Sequence, residues 1–419
     1  MNPSEQAAVA LADSSVAAKA AEQLLADAIA HGAHTLHLEP HQDRARVRYR
    51  IDGVLHEWAH LSEHALGALI AHFKHRAALT PHEKRWSQEG RFLFLSTPEG
   101  EYTIQLTTIP LADKEKAVLH IFNTRLQTHN FAQLGIWGDT RKQLNRALTA
   151  KQGLIVISGP QHSGVSTSLR SALTTLNRPT RSILTVEDPI EHRLQGVHQL
   201  RVDRAKGIDV PHGISIALKS DINTILLSNL QGKRATDAAL EAGTKGRMVL
   251  AGMHAAGMVQ TMQQLIDATS EHYLLAHNLQ AVLYQRLIRR LCDNCKLPAR
   301  PDAAMLRRIT MRTNITVATL QHFMEETAKH QGGRMTLQLM SANPLGCDEC
   351  HHTGFKGRVG MFELFTNSAQ AQRRLSGHAD PTAVLHNAVK AGMMPMLVDG
   401  FVKALCGLTT IEEVLHSYK

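Results

Sequence analysis

Gly153-Leu154-Ile155-Val156-Ile157-Ser158-Gly159-Pro160-Gln161-His162-Ser163-Gly164-Val165-Ser166-Thr167-Ser168-Leu169 is the stretch on which the reading of this chain turns. It predicts a buried strand over Leu154 to Ser158, a glycine-bearing loop, and a helix opening near Ser166. A phosphate-binding loop needs this order. The strand aims the loop, and backbone N–H groups at the start of the helix cradle the anion. The pattern G-x-x-x-x-G-K-[ST] is met at Gly159, Gly164 and Ser166, and Thr167 follows inside the predicted first turn. It fails at its one charged position, where Val165 stands in place of lysine. The loop has kept its shape and lost its cation. From these residues alone, an ordinary strand–turn–helix with two glycines is the competing reading.

Outward from this stretch, apolar strands alternate with helices at Ile183–Val186, Thr224–Leu227 and Met248–Ala251, which predicts a parallel sheet covered by helices. Ahead of it, residues 1–15 read as an alanine-rich flexible lead-in, and Val16 to Ile29 as an amphipathic helix. Arg46 to Ile51 alternates in the strand manner, and Asp52-Gly53 signals a hairpin turn. A helix from about Glu63 to Ala78 and strands over Arg91–Ser96, Tyr102–Thr107 and Lys116–Phe122 follow. The expected division is a small α+β domain over 16–123, a linker over 124–138, and an α/β domain over 139–419. The last carries a cysteine-bearing subdomain over 286–364 and a helical tail over 368–418.

The chain has 419 residues, enough for two or three cores, with 43% hydrophobic and 20% charged residues, as in globular proteins. No apolar run approaches the 18 or so residues of a membrane span. Glu5 and Asp13 spoil a secretory signal, so a cytoplasmic location is expected. The net charge of +9 points to an anionic partner. Its basic residues are scattered, with short clusters at Arg44–Arg50 and Arg286–Arg290, and aromatic residues are only 4%. That is too few for base-stacking platforms, so nucleic acid is disfavoured. With 26 histidines, no single one is informative.

Five cysteines divide into Cys292/Cys295, Cys347/Cys350 and a lone Cys406. Paired C-x-x-C motifs in a cytosolic chain argue for a closed tetrahedral zinc site with a structural role. The 51 residues between the pairs exceed zinc-ribbon spacing. Redox-active pairs are the alternative.

Several further strings resemble one family. His37-Leu38-Glu39-Pro40 and Arg46-Val47-Arg48-Tyr49-Arg50-Ile51-Asp52-Gly53-Val54-Leu55, with Gln88-Glu89-Gly90-Arg91-Phe92, are similar to the first domain of the type II secretion and type IV pilus assembly ATPases. Thr185-Val186-Glu187-Asp188-Pro189-Ile190-Glu191 resembles that family's acidic box, and Gly246 to His254 its histidine box. Gln285 to Cys292 and Cys350 to Arg358 resemble its zinc subdomain. The resemblance runs from about residue 20 to the end, in the family order. It implies a RecA-like motor domain with a parallel sheet, preceded by a PAS-like α+β domain. It also implies ATP and Mg²⁺ as cofactors beside zinc, a hexameric ring, an inner-membrane platform protein as partner, and work on pilin-like filaments. By the same resemblance Glu187 and His254 are candidate catalytic residues, and Arg48, Arg50, Arg85 and Arg91 candidate phosphate contacts. Larger members carry a further N-terminal domain that docks on a membrane-anchored partner; that route is expected to be missing here.

The departures fall on one reaction. His162 and Val165 replace the family's glycine and lysine in the loop, and Ser228-Asn229 replaces a glycine–glutamate pair after the strand Thr224–Leu227. Phosphoryl transfer depends on positioning and charge around Mg²⁺, and an uncharged Asn229 is no base. ATP and Mg²⁺ binding is therefore expected to be weak or absent, with Arg170 or a neighbouring subunit's cation as the candidate substitute for lysine. The expectation is a hydrolysis-deficient structural or regulatory subunit in a homo- or hetero-hexamer with family ATPase subunits. An active ATPase with an unorthodox loop and a basic DNA-associated RecA-like module are the rivals.

Overall fold

The computed structural model describes residues 14–41, 44–96, 100–112, 114–123, 129–299, 311, 339–377 and 380–417. The chain divides into two units, Met1–Gln127 and Thr128–Lys419. The lead-in expected over 1–15 lies outside the described residues, except that helix α1 already begins at Ser14.

The first unit contains α1 (Ser14–Ala30), β1 (Ala33–His41), β2 (Arg44–Ile51), β3 (Val54–Leu61), α2 (Glu63–Arg76), β4 (Gln88–Ser96), β5 (Gly100–Pro110) and β6 (Glu115–Asn123). The strands form one antiparallel sheet in the order β3-β2-β1-β6-β5-β4. Asp52 and Gly53 both take positive φ, 48° and 90°, the twist a tight β2–β3 hairpin requires. The alternation in β2 explains its two faces. Ala45, Val47 and Tyr49 are buried against Leu25, Leu69 and Phe73 of the helices, while Arg44, Arg46, Arg48 and Arg50 point the other way.

The second unit opens with α3 (Phe131–Leu134) and α4 (Gly138–Thr149). Both fall in or at the edge of the stretch read as an irregular linker. Asn130 and Gln133 close a capping box at α3, and Phe131 and Ile136 are buried beside Leu144. The chain continues through β7 (Gly153–Gly159), α5 (Val165–Leu176), β8 (Ile183–Glu187), β9 (His198–Arg201), α6 (Val210–Lys219), β10 (Thr224–Leu227), α7 (Lys233–Thr244), β11 (Met248–His254), α8 (Met258–Asp267), α9 (His272–Asn278) and β12 (Leu279–Leu291). Short strands β13 (Leu297–Pro298) and β14 (Met340–Ser341) precede β15 (Phe355–Thr366). Four helices follow: α10 (Ala369–Ser376), α11 (Pro381–Lys390), α12 (Met396–Leu405) and α13 (Ile411–Ser417).

Seven strands form one sheet in the order β15-β12-β7-β11-β10-β8-β9. All neighbours are parallel except β15 against β12. β7 is buried on both faces and apolar from Leu154 to Ile157, and the buried Ser158 hydroxyl is hydrogen-bonded to that of Thr261. Leu154 and Val156 pack on the side of α6 to α13, and Ile155 and Ile157 on the side of α3 to α5. This is the expected α/β architecture with a parallel sheet. Strands β12 and β15 belong to this main sheet, so the ends of the segment read as an inserted subdomain are core structure. Among the described residues no helix is long and apolar enough to cross a membrane.

Candidate functional site

Parallel strands carry their ligands beyond their carboxyl ends, and the motif residues gather there. Strand β7 ends at Gly159, opposite His254 at the end of β11. Ser228 and Asn229 follow β10, and Glu187 ends β8. Glu187 is three strands from Gly159, roughly 14 Å across a sheet.

The loop between β7 and α5 is tightly built. His162 takes φ 62° and Gly164 φ 86°, and Gly164 stands directly before the helix as its N-cap. A Cβ on Gly159 would lie 2.4 Å from the Gln285 carbonyl and 2.4 Å from Ser163 Oγ, so only glycine fits. Gln285, on β12, donates from Nε2 to the Ser163 carbonyl at 2.7 Å. The site residues picked from the sequence omitted Gln285. The signal was present: it is a lone amide following the apolar run Ala281-Val282-Leu283-Tyr284.

Val165 does more than fail to supply charge. It is 7% exposed and packs with Ile157, Leu169 and Leu173 in the core beneath α5. Ser166 is exposed and Thr167 half-buried. The helix therefore starts on an apolar anchor, with its first-turn hydroxyls outward.

The acidic box is held from within. Thr185 Oγ1 donates to Glu187 Oε1 at 2.6 Å, and Gln199 Nε2 donates to the same oxygen at 2.9 Å. Gln199 also donates to the His192 carbonyl at 2.8 Å and accepts from Leu194 N at 3.0 Å. Arg170, on α5, points into this box. Its Nη1 lies 3.5 Å from Glu191 Oε2. His192 is driven down to about 4 by burial and by the Arg170 charge, so it is neutral near pH 7. Beyond β10, Ser228 N donates to the Val186 carbonyl at 3.1 Å and Ser228 Oγ accepts from Asp188 N at 3.2 Å. His254 is exposed at the edge.

The four arginines of the first unit are not one cluster. Arg48 and Arg50 share a face of β2, whereas Arg91 is on β4, four strands away or roughly 19 Å. Arg48 Nη2 is 2.7 Å from Glu39 Oε2, and Arg46 and Lys116 reach the same carboxylate. Burial opposes ionisation of Glu39, but hydrogen bonds from Arg48 and Lys116 prevail and hold it at about 2. Arg50 donates to the Gly53 carbonyl, Arg91 to Gln105, and Arg85 to Glu83 while stacking on Trp86.

Cys292, Cys295, Cys347 and Cys350 converge, with all four sulfurs within 4.8 Å of one another. Three of the separations, Cys292–Cys347, Cys295–Cys350 and Cys347–Cys350, are 3.8 Å. A tetrahedron with Zn–S bonds of about 2.3 Å has edges of about 3.8 Å, so the cluster fits that ion. The surroundings suit thiolates. Backbone N–H groups of Cys347 and Gly354 donate to Cys350 Sγ at 3.2 Å each, and Asn294 Nδ2 to Cys347 Sγ at 3.4 Å. Cys406 stands apart, its thiol pushed up to about 11 by burial.

Residues 10–416 match the family model described as type II/IV secretion system protein. The type IV pilus assembly ATPase TfpB of Acinetobacter baylyi is 32% identical over 399 residues, covering 95% of this chain and 65% of that protein. The type II secretion system protein E of Pseudomonas aeruginosa is 31% identical over 393 residues, covering 94% of this chain and 74% of the other. This chain thus spans just under two thirds of the Acinetobacter relative's length. Among solved structures, the ATPase DotB of Legionella pneumophila aligns with a TM-score of 0.66 at 15% identity, over 94% of each chain. The pilus retraction motor PilT with bound ADP aligns with a TM-score of 0.58 at 17% identity, over 94% of this chain and 96% of the other. At those identities the likeness is one of fold.

Proposed function

The chain belongs to the family of type II/IV secretion system proteins, and from that premise we propose that it is a hydrolysis-deficient structural or regulatory subunit of a filament-assembly or secretion motor. One observation carries the reading. The residue that should bring a cation to the phosphate loop is Val165, and its side chain is committed to the core. Asn229 compounds it, because base catalysis at that position is worth about 10²–10⁴ in rate. In this reading the loop and the end of β8 keep the shape of a nucleotide site, and ATP and Mg²⁺ bind weakly or not at all. When bound, Mg²⁺ would supply charge stabilisation to the transferring phosphoryl group; in this reading Glu187 would orient a water, and His254 lies at the same end of the sheet.

The remaining parts of the proposal follow the family. The four cysteines hold one structural Zn²⁺ per chain. The first unit is a PAS-like domain that packs on a neighbouring motor domain in a homo- or hetero-hexamer with family ATPase subunits. The protein is cytoplasmic and sits at the inner membrane through a platform protein.

The test is ATP turnover by the parent, Val165→Lys, Asn229→Glu and the double variant, each verified as folded by circular dichroism. The parent and both single variants are expected at background, and the double variant above it. Robust Mg²⁺-dependent turnover by the parent, abolished by Glu187→Gln, would establish the rival reading of a working ATPase. The clamped Glu187 carboxylate and the relatives' names as ATPases favour that rival.

A further inference from the structure

Arg170 is on α5, five residues beyond Val165. Helical side chains lean back toward the N-terminus, and this one does. Its Nη2 reaches Thr167 Oγ1, in the first turn, at 3.4 Å. The guanidinium therefore stands over the part of the helix where a phosphate would be cradled, next to a loop that has no lysine. Its other arm is engaged, with Nη1 3.5 Å from Glu191 Oε2. Burial works against the Arg170 charge, while the Glu191 and then the Glu187 carboxylates work for it. A guanidinium does not deprotonate in proteins, so the cation is present at all working pH values.

Glu191 is not there by chance rotamer. Gln199 ties the carbonyl of the next residue, His192, and the N–H of Leu194 into one turn. The same amide fixes Glu187. The acidic segment thus presents Glu191 to Arg170 from a scaffold of its own.

We propose that Glu191 is an intramolecular competitor for phosphate at this loop, holding on itself the cation that an anionic ligand would otherwise recruit. The proposal deepens the reading of the loop as a nucleotide site without its lysine, and rests on that reading. The ligand class is a di- or triphosphate whose terminal groups lie on the N–H groups of Gly164 to Thr167. With Arg170 paired to Glu191, such a ligand must break an ion pair to gain one. With Glu191 neutral, Arg170 can turn to the phosphate and give a forked, charge-assisted contact. Arg170 is about 25% and Glu191 about 31% exposed, a class of pair of modest strength, so the expected gain is roughly fivefold in affinity.

The experiment uses the full chain and labelled inorganic pyrophosphate with Mg²⁺, with binding measured by equilibrium dialysis. The parent, Glu191→Gln, Arg170→Gln and the double variant are compared, and Glu191→Ala serves if the glutamine variant is unfolded. Glu191→Gln is expected to bind more tightly than the parent, and Arg170→Gln and the double variant no more tightly than the parent. A double variant as tight as Glu191→Gln would overturn the proposal, because the gain would then come from losing a negative charge and not from releasing Arg170. So would a Glu191→Gln variant no tighter than the parent. ATP turnover by the parent would remove the proposed function and leave this comparison readable; missing coupling in a parent without turnover would remove this inference alone.

Discussion

Gln285 Nε2 lies 2.7 Å from the Ser163 carbonyl oxygen and donates a buried hydrogen bond to it, so β12 ties down the loop between β7 and α5. That bond ties the loop's backbone to the neighbouring strand. Replacing Gln285 by leucine leaves the Ser163 carbonyl buried and unpaired, at a cost of about 1–3 kcal/mol. Denaturant unfolding should register the loss, and amide exchange should rise first between Gly159 and Ser168. Unchanged exchange there would show that the loop stands without Gln285.

The thiol cluster predicts one zinc per chain. Metal analysis of protein purified under reducing conditions should find close to one equivalent. Removing it with a strong chelator should loosen the Cys292 and Phe355 ends of β12 and β15 before the sheet melts, since structural zinc is worth roughly 10–16 kcal/mol in zinc-finger peptides. Less than half an equivalent in fully reduced protein would count against the site.

Lys403 on α12 is fully buried. Its Nζ pairs with Asp399 and donates to the Gly360 carbonyl, and it lies 4.7 Å from the Phe362 ring and 5.4 Å from that of Trp137. Asp399 in turn accepts from Phe362 N at 2.8 Å. Removing one member leaves the other buried without its charge partner, so Lys403→Met and Asp399→Asn should each cost about 3–5 kcal/mol. The double variant should cost clearly less than the sum, a coupling that equilibrium unfolding of all four proteins measures. Additive losses would show that the two charges are stabilised independently.

Acid should weaken the first unit in a defined window. Burial, with the Lys116 charge next and Glu39 pulling the other way, holds His37 down to about 4. The unfolded chain takes up that proton near pH 6.5 and the folded chain only near 4, so stability is complete above 6.5 and falls as the pH drops toward 4. The loss from this group is at most about 3 kcal/mol. A second loss follows below about 4.5, as Glu39 is held at about 2 in the folded state. Melting temperature against pH checks this, and His37→Gln should flatten the slope between 6.5 and 4.

Much of the architecture was readable because single elements carried their own signals. The run Leu154 to Ile157, β-branched and closed by a glycine-bearing loop, reads as a strand buried on both faces, and Asp52-Gly53 between two alternating runs is a strong hairpin signal. Val165 declared the missing cation in one letter. What could not be read were meetings made by the sheet. Arg170 and Glu191 are 21 positions apart and face each other because α5 leads into β8 and the turn beyond it. Gln285 and Ser163 are 122 apart and touch because β12 lies beside β7. The excessive spacing between the cysteine pairs has the same origin. Leu291 pairs with Phe355 at the end of the β12–β15 ladder, which brings Cys292 and Cys350 together whatever the length between them.

That ladder end has a practical meaning for anyone rebuilding this chain. The polypeptide leaves the main sheet at Leu291, just before Cys292, and re-enters it at Phe355, just after Cys350, so both crossings are flanked by one knot of sulfurs less than 5 Å across. Strand register is set on the sheet side of the knot, by partners from Leu291↔Phe355 to Ala281↔Thr366. An exchange made in the sequence between Cys295 and Cys347 therefore falls outside that register. A reporter or a foreign module with neighbouring termini can be seated there, and the sheet that carries the β7–α5 loop need not change its pairing to receive it.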